Sequence, residues 1–229
     1  MVVKLGGKKF MFKRLEKQDV SYMDSILFDE NKMLRVVPSS ELLKLPREHI
    51  MIWGNLNGVY TFPTKELIDW LKEKIGDKKA IEICAGNGSI GRALGLISTD
   101  SYIQTTPEMV AFYKSIGQHP IFPKEDVEKI DAVNAVKKHN PELVVASYAT
   151  QVTKDGDQTD TSIFGVDEEF IMSEVKEYIH IGNFSTHGRK RIIQKYYNDV
   201  FKFPWLVTRS ILPEQNEIRI FRNEMKNAK

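Results

Sequence analysis

The chain has 229 residues, of which 41% are hydrophobic, and its 33 basic and 31 acidic side chains leave a net charge of +2. This length suits one sizeable core, and the near-balance of charge argues against the strongly basic surface typical of nucleic-acid-binding proteins, so a nucleic-acid partner is not supported. The single cysteine excludes an intrachain disulfide and paired-cysteine zinc sites, and no apolar run reaches about 18 residues, so we expect a soluble cytoplasmic protein that does not enter a membrane.

Residues 1–56 are predicted to form an N-terminal extension that is not an independent domain. A strand is expected near Lys9–Phe12, and a helix is expected to start at Pro38–Glu41. The sequence leaves open whether this extension caps the following domain, mediates dimerisation or does neither. The oligomeric state is open as well. Residues 57–229 are predicted to form one domain.

The rest of the chain alternates between helical and strand-like patterns. Helices are predicted at 65–75, 107–114, 126–139, 167–175 and 189–200, and strands at 80–84, 141–148 and 177–183, followed by a hairpin of 205–210 with 217–222. The first of these helices has Thr64 as its N-cap and Gly76 at its end. This alternation predicts an α/β fold with a mostly parallel central sheet, helices on both faces and a C-terminal antiparallel hairpin.

A glycine-rich turn follows the strand at 80–84. Glu82 lies near the carboxyl end of that strand, Gly86 and Gly88 follow it, and a helix-like segment comes next. Glycines let the backbone turn tightly and approach a ligand, and the N–H groups at a helix start are able to bind one, although such turns also serve packing alone. The dinucleotide pattern G-x-G-x-x-G does not fit this segment, whereas E-x-x-x-G-x-G does.

The segment Glu82–Gly88 resembles the first motif of the class I S-adenosylmethionine-dependent methyltransferases. The resemblance covers about residues 57–222 and implies a Rossmann-like methyltransferase fold in which 57–229 bind S-adenosylmethionine and release S-adenosylhomocysteine. In that family the acidic residue, here Glu82, belongs to the surroundings of the methionine amino group, and the glycine turn lies under the ligand. The turn residues so implied are Cys84, Gly86, Asn87 and Gly88, with Cys84 where the family most often has its first glycine.

The resemblance also implies contacts on either side of this turn. Tyr60, Pro63 and Thr64 correspond to an element that lies beside the methionine part of the ligand, although the same residues fit a helix cap with a hydrophobic anchor. The ribose is expected at the end of the second strand. If that strand ends at 98–99, Asp100 takes this position with Gln104 nearby.

Two alternatives to that ribose contact remain open. If the second strand runs over 101–105 instead, Thr105 or Thr106 stands at its end and the acidic residue is missing. A carboxylate accepts two hydroxyl hydrogen bonds where a threonine cannot, which favours Asp100. In the second alternative, residues 99–101 are simply a turn.

The adenine and acceptor contacts implied by the family fall further along the chain. Asp126 and Val127 stand where an acidic side chain and a backbone N–H meet the adenine ring, and Asp126 also fits the N-cap of the following helix. Ser147 and Tyr148 stand at the end of the strand at 141–148, where enzymes that methylate base amines carry a Pro-Pro-aromatic motif; Ser147 is a candidate cofactor contact and Tyr148 a candidate catalytic residue. This chain has no prolines there, so base-amine methylation is not favoured; Tyr148 is expected to pack on an acceptor ring or at the rim of the core.

Two later segments are candidates for acceptor binding and catalysis. Residues 153–167 form a long polar stretch that we expect to select the acceptor. His187 follows the strand at 177–183 and is a candidate general base, because a histidine is neutral at working pH, although a surface histidine at a helix start is the simpler interpretation. The five histidines are too scattered to predict a metal site, and none is expected.

The sequence therefore predicts a methyltransferase that acts on a small or otherwise unidentified acceptor. The alternative is a catalytically inactive protein that keeps the fold as a ligand-binding or interaction module. That alternative predicts ligand binding without turnover, or a closed pocket. A nicotinamide oxidoreductase is disfavoured by the glycine spacing.

Overall fold

The computed structural model describes residues 2–5, 8–11, 18–154 and 161–227. The strands are β1 (Val2–Leu5), β2 (Lys8–Met11), β3 (Ala80–Ile83), β4 (Ile97–Asp100), β5 (Val127–Lys129), β6 (Leu143–Ser147), β7 (Gln151–Val152), β8 (Thr161–Ser162), β9 (Glu177–Asn183), β10 (Tyr197–Phe201) and β11 (Asn216–Arg222). The helices are α1 (Asp24–Leu27), α2 (Ser39–Leu43), α3 (Arg47–Leu56), α4 (Lys65–Ile75), α5 (Ser89–Leu94), α6 (Pro107–Ser115), α7 (Ala132–His139), α8 (Glu168–Glu174), α9 (Phe184–His187), α10 (Arg191–Lys195) and α11 (Glu224–Asn227). Three short 3₁₀ turns lie at Ser21–Met23, Ile103–Thr105 and Pro213–Gln215.

Seven strands form one sheet in the order β10-β11-β9-β6-β3-β4-β5. The pairs β5–β4, β4–β3, β3–β6 and β6–β9 are parallel, whereas β11 runs antiparallel to both of its neighbours, β9 and β10. The strand order therefore reverses at β3, which has β4 on one side and β6 on the other. The expected mostly parallel sheet with an antiparallel C-terminal pair is confirmed.

Helices cover both faces of this sheet. Val144 and Ala146 of β6 pack with α7 and α8, whereas the alternating residues Leu143 and Val145 pack with α4 and α5 on the opposite face. Successive side chains of a strand point to opposite faces, so a strand that is buried on both faces is apolar throughout. Among the described helices, none is long and apolar enough to cross a membrane.

A third core joins the N-terminal region to the rest of the chain. Met23, Leu42 and Trp53 pack in one buried cluster with Phe62 and Val207. Residues before 57 thus share their apolar interior with later segments of the chain. The strand expected near Lys9–Phe12 corresponds to β2, which pairs with β1, while Phe12 itself lies outside the described residues. The division at residue 56 stays a prediction.

Two predicted helices are shorter in the structure than the sequence indicates. The helix predicted at 126–139 begins only at Ala132, where the Asp131 side chain accepts a hydrogen bond from Asn134 N, and it is preceded by β5. A three-residue edge strand with two charged residues has too little apolar pattern to be recognised. The helix predicted at 189–200 ends at Lys195, because the following residues form β10.

The predicted hairpin has one correct strand and one wrong one. β11 matches the segment predicted at 217–222, but its hairpin partner is β10, not the segment 205–210. In that segment Thr208 makes an isolated bridge to Thr61. β10 is a partly exposed edge strand with little apolar pattern, whereas 205–210 has the stronger pattern, and only the path of the chain decides which of the two reaches β11.

Candidate functional site

The glycine turn after β3 has a left-handed backbone at three positions. Cys84, Gly86 and Gly88 have φ of 52°, 56° and 73°. A Cβ at Gly88 would lie 2.6 Å from Val127 Cγ2, so this position has no room for a side chain. At Cys84 the left-handed conformation costs about 1–2 kcal/mol for a residue with a Cβ, which is a physical reason for glycine to be usual there in the family.

Glu82 is buried beneath this turn. Its Oε2 accepts hydrogen bonds from Gly91 N at 2.9 Å and from Ser98 Oγ at 2.8 Å, so the carboxyl group ties β3 to the first turns of α5 and to β4. A Cβ at Gly91 would lie 2.5 Å from Oε2, which leaves glycine as the residue that fits. Burial raises the pKa of Glu82 to about 7. The predicted contact of Glu82 with a methionine amino group stays a prediction.

Asp100 lies at the carboxyl end of β4, next to the glycine turn. Its Oδ2 accepts from Gly86 N at 3.0 Å and its Oδ1 from Tyr102 N at 2.8 Å. Burial raises the pKa of Asp100, and these two hydrogen bonds oppose that change. The strand ends at Asp100, as in the alternative favoured from the sequence, whereas Thr105 belongs to a 3₁₀ turn and Thr106 caps α6. The ribose contact itself stays a prediction.

The segment after α6 lies across the glycine turn. The Gln104 Oε1 accepts a hydrogen bond from Ile121 N at 2.9 Å. The Ile121 side chain packs on Gly86 and on Gly58. A Cβ built at Gly86 would lie 3.2 Å from an Ile121 side-chain carbon, and a Cβ built at Gly58 would lie 3.1 Å from one. A ligand that rests on Gly86 therefore has to displace Ile121.

Both groups predicted to meet an adenine ring have partners within the protein. Asp126 forms a two-point ion pair with Arg92, with Nε–Oδ2 and Nη2–Oδ1 distances of 2.7 Å, and the Arg92 hydrogen bond lowers the pKa of Asp126. Asp126 is not a helix N-cap, a role that Asp131 fills instead. The backbone N–H of Val127 donates to the carbonyl oxygen of Lys124 at 3.0 Å.

The segment at 60–64 packs against the end of β6. Ser147 Oγ donates to Thr61 Oγ1 at 2.9 Å, and the Tyr60 ring lies 5.2 Å from the Tyr148 ring. Thr64 accepts from Leu67 N and caps α4, so its helix-cap role is confirmed. Pro63 is buried beside it. The structure therefore brings Tyr60, Ser147 and Tyr148 together, while the methionine contacts proposed for Tyr60, Pro63 and Thr64 stay predictions.

Asn87 has a local role in the turn. Its side-chain Oδ1 accepts from Ser89 N at 3.0 Å, and its backbone carbonyl accepts from Arg92 Nη2 at 3.1 Å. An asparagine that binds the backbone two residues on stabilises a turn by itself. The Arg92 side chain thus connects the turn to Asp126, which the sequence analysis did not anticipate because Arg92 looks like any helix-surface residue.

His187 is buried and does not lie on the surface. Its Nδ1 accepts a hydrogen bond from Asn183 N at 3.1 Å, and its ring lies 5.1 Å from that of Tyr148. Burial lowers the pKa of His187 to about 3. An imidazole with so low a pKa is a weak proton acceptor at neutral pH. The geometry therefore favours a positioning role beside Tyr148 over the general-base role considered from the sequence.

A buried ion pair lies directly behind these residues. Lys190 Nζ is 2.6 Å from Glu168 Oε1, 2.7 Å from the Ala149 carbonyl oxygen and 2.9 Å from His180 Nε2, and both charged side chains are 2% exposed. The Tyr178 hydroxyl also donates to Glu168 Oε1, at 2.8 Å. This cluster fixes the chain just after Tyr148. No local pattern predicts this cluster, because its members come from four separate segments of the chain.

The acceptor-selecting stretch predicted at 153–167 is described only in part. Residues 155–160 lie outside the described residues, and the remainder includes β8, which pairs in parallel with β7. The role of this stretch stays a prediction.

Arg209 is a further residue at this edge of the sheet that the sequence analysis missed. Its guanidinium carbon lies 3.5 Å from the centroid of the Tyr60 ring, and its backbone N–H donates to the Tyr60 carbonyl oxygen at 2.9 Å. The bridge between Thr61 and Thr208 brings the two segments together. A contact between residues so far apart in the chain has no sequence signal.

The similarity of this chain to known proteins is low. No family model and no curated relative matches the chain. Among solved structures, an rRNA methylase from Streptococcus thermophilus is 12% identical, with 68% of this chain and 93% of that chain covered and a TM-score of 0.39. A Thermoplasma acidophilum protein is 13% identical, with 81% and 95% covered and a TM-score of 0.32. The order and directions of its seven strands form a Rossmann-like α/β sheet with a C-terminal antiparallel pair, as the sequence resemblance to the class I S-adenosylmethionine-dependent methyltransferases predicts.

Proposed function

We propose that this protein binds S-adenosylmethionine on the glycine turn and transfers its methyl group to an acceptor. One observation carries the proposal: Gly86 and Asp100 meet at the carboxyl ends of two adjacent parallel strands, at the point where the strand order reverses. In open α/β sheets, ligands bind in the crevice at this point. Because Gly86 has no Cβ, a ligand that displaces the Ile121 side chain can approach the backbone of the turn, and the Asp100 carboxylate has capacity for further hydrogen bonds.

The residues present suit this cofactor. Asp100 accepts one hydrogen bond at each oxygen within the protein, and a carboxylate accepts up to about four, so two ribose hydroxyls can be accommodated. When bound, S-adenosylmethionine supplies an electrophilic methyl group, and positioning of the acceptor is the main task left to the protein. Tyr60 and Tyr148 form an aromatic wall beside the turn that can hold an acceptor ring.

A second function is favoured by a specific observation. Ile121 covers Gly58 and Gly86, and the groups proposed for adenine, the Asp126 carboxylate and the Val127 N–H, already have protein partners. These contacts support a protein that keeps the fold as an interaction module and binds the cofactor weakly or not at all. The two functions differ in cofactor affinity and in turnover.

Calorimetric titration with S-adenosylmethionine and S-adenosylhomocysteine tests the proposal. Wild type is expected to bind both in the micromolar range, and Gly86→Asp is expected to lose binding because it places bulk and charge under the ligand. Gly95→Asp is the matched control, since Gly95 also has a left-handed φ, of 70°, but nothing lies within 4 Å of its Cβ position. A folded wild type that binds neither compound would refute the enzyme proposal and leave the interaction module.

A further inference from the structure

The Arg209 guanidinium is held flat against an aromatic ring and has few polar partners. It stacks on Tyr60 at 3.5 Å, and one of its N–H groups, on Nη1, donates to the Gly54 carbonyl oxygen at 3.4 Å. A guanidinium has five N–H donors. Within the described part of the chain, the other four have no partner, and no carboxylate lies within 4 Å of this side chain.

A second arginine increases the positive charge of this region. Arg47 donates to the carbonyl oxygens of Thr208, at 2.6 Å, and of Ser210, the two neighbours of Arg209 in the chain. Among the described residues it likewise has no carboxylate within 4 Å. Glu214 lies near enough to act on the charge of Arg47, whereas Arg209, on the other side of this short segment, has no carboxylate within 4 Å among the described residues. Such an arrangement attracts an anion from solution.

Tyrosine rings form the remaining surroundings of Arg209. Burial raises the pKa of both Tyr113 and Tyr148, and the positive charge of Arg209 opposes that change in each case, so all three side chains lie close together. The Tyr148 hydroxyl is buried beside the Thr208 and Ser210 side chains, which act to lower its pKa. The region thus combines apolar ring surfaces with guanidinium donors of Arg209 that have no partner among the described residues.

We infer that Arg209, held by Tyr60, binds the carboxylate of a small molecule at the carboxyl edge of the sheet. The planar guanidinium matches a carboxylate through two parallel hydrogen bonds, and the adjacent rings exclude water from the pair. Tyr148 directly follows β6, next to the glycine turn, so the bound carboxylate lies beside the proposed methyl-transfer site. The anion belongs either to the amino-acid part of the methyl donor or to the acceptor. Its assignment to one of these rests on the proposed function, whereas the anion site itself does not.

Ligand-observed NMR with benzoate and benzamide tests the site without the cofactor. Benzoate carries a carboxylate on a ring, and benzamide is its neutral counterpart of nearly the same shape. We expect wild type to bind benzoate at least tenfold more tightly than benzamide, and Arg209→Gln to lose this preference. Arg35→Gln is the control, because Arg35 is exposed and likewise makes a single 3.4 Å side-chain bond to a carbonyl oxygen.

A calorimetric arm identifies the source of the carboxylate. S-adenosylhomocysteine has an amino-acid carboxylate, and 5′-methylthioadenosine lacks the whole amino-acid part. If Arg209→Gln weakens the binding of S-adenosylhomocysteine at least tenfold and changes the binding of 5′-methylthioadenosine by less than twofold, the carboxylate is that of the donor. If the variant loses only benzoate, the carboxylate belongs to the acceptor.

Two further outcomes separate this inference from the proposed function. If wild type binds benzoate through Arg209 but binds no S-adenosylhomocysteine, the anion site stands and the methyltransferase proposal fails. If neither benzoate nor S-adenosylhomocysteine binding depends on Arg209, the inference is overturned. Arg209→Lys keeps the charge but not the planar fork, and we expect it to retain less than a third of the benzoate affinity.

Discussion

Glu82 makes the folding stability of this protein depend on pH. Its carboxyl group is 1% exposed, and burial raises its pKa from 4.5 to about 7, although hydrogen bonds from Ser98 and Gly91 and the charge of Arg92 act in the opposite direction. The nearby Asp100 carboxylate adds to the increase. The folded state therefore keeps a proton that the unfolded chain releases above pH 4.5.

The sign and size of the effect follow from this difference. Because the folded pKa is the higher one, the stabilising contribution of Glu82 is complete below pH 4.5 and is lost as the pH rises through 7. A difference of about 2.5 in pKa corresponds to a change of about 3 kcal/mol in the free energy of unfolding, at about 1.36 kcal/mol for each pKa unit. Part of this contribution is already lost at pH 5, so wild type should lose about 2.5 kcal/mol between pH 5 and pH 8 through Glu82 alone.

The replacement Glu82→Gln tests this expectation. The amide oxygen still accepts from Gly91 N and Ser98 Oγ, but the side chain no longer titrates. Urea unfolding at several pH values between 5 and 8 should show that the free energy of unfolding of the variant rises by about 2.5 kcal/mol relative to that of wild type as the pH increases. Glu125→Gln, at an exposed position, should leave the wild-type slope unchanged. Parallel curves for wild type and Glu82→Gln would refute the reasoning.

Three further predictions concern the core and the glycine turn. Lys190→Met and Glu168→Gln should each lower the free energy of unfolding by about 3–5 kcal/mol, because each variant leaves a buried group without its partner. Urea unfolding of the two single variants and of the double variant measures these losses. If the losses simply add in the double variant, the two side chains do not depend on each other and the prediction is wrong. Gly91→Ala should lower the free energy of unfolding by about 1–3 kcal/mol, because the added Cβ would lie 2.1 Å from Ser98 Oγ. Thermal unfolding measures this loss, and an unchanged melting temperature would show that the site has room for a methyl group. Ile121→Ala should raise calorimetric affinity for S-adenosylhomocysteine about tenfold, because less apolar contact has to be broken; lower affinity would mean that Ile121 contacts the ligand.

Elements with a strong local pattern were predictable from the sequence. The helix at 65–75 and the strand at 177–183 match α4 and β9. Each has a periodic or continuous apolar pattern and a clear start or end signal, and such patterns report directly which face is buried. β5 and β10 were missed because short or solvent-facing edge strands have little of this pattern.

The candidate site was predictable only where it follows directly from a strand end. The glycine turn and Asp100 adjoin β3 and β4, so the sequence placed them at one edge of the sheet before any contact was known. The burial of His187 was not predictable, because the four-residue helix α9 is too short to show a periodic pattern of buried positions. The same holds for Ile121, which reaches the turn through a hydrogen bond to Gln104.

The sequence by itself determined the α/β class and the glycine turn, because each depends on neighbours within a few residues, whereas it left open whether Asp100 or Thr105/Thr106 stands at the end of the second strand. Only the tertiary structure decided that Ile121 covers Gly86, that Lys190 pairs with Glu168 and that Arg209 stacks on Tyr60. These contacts join segments that are distant in the chain. They depend on the order of the strands and on the paths of the loops between them, which local propensity and hydrophobic periodicity do not specify.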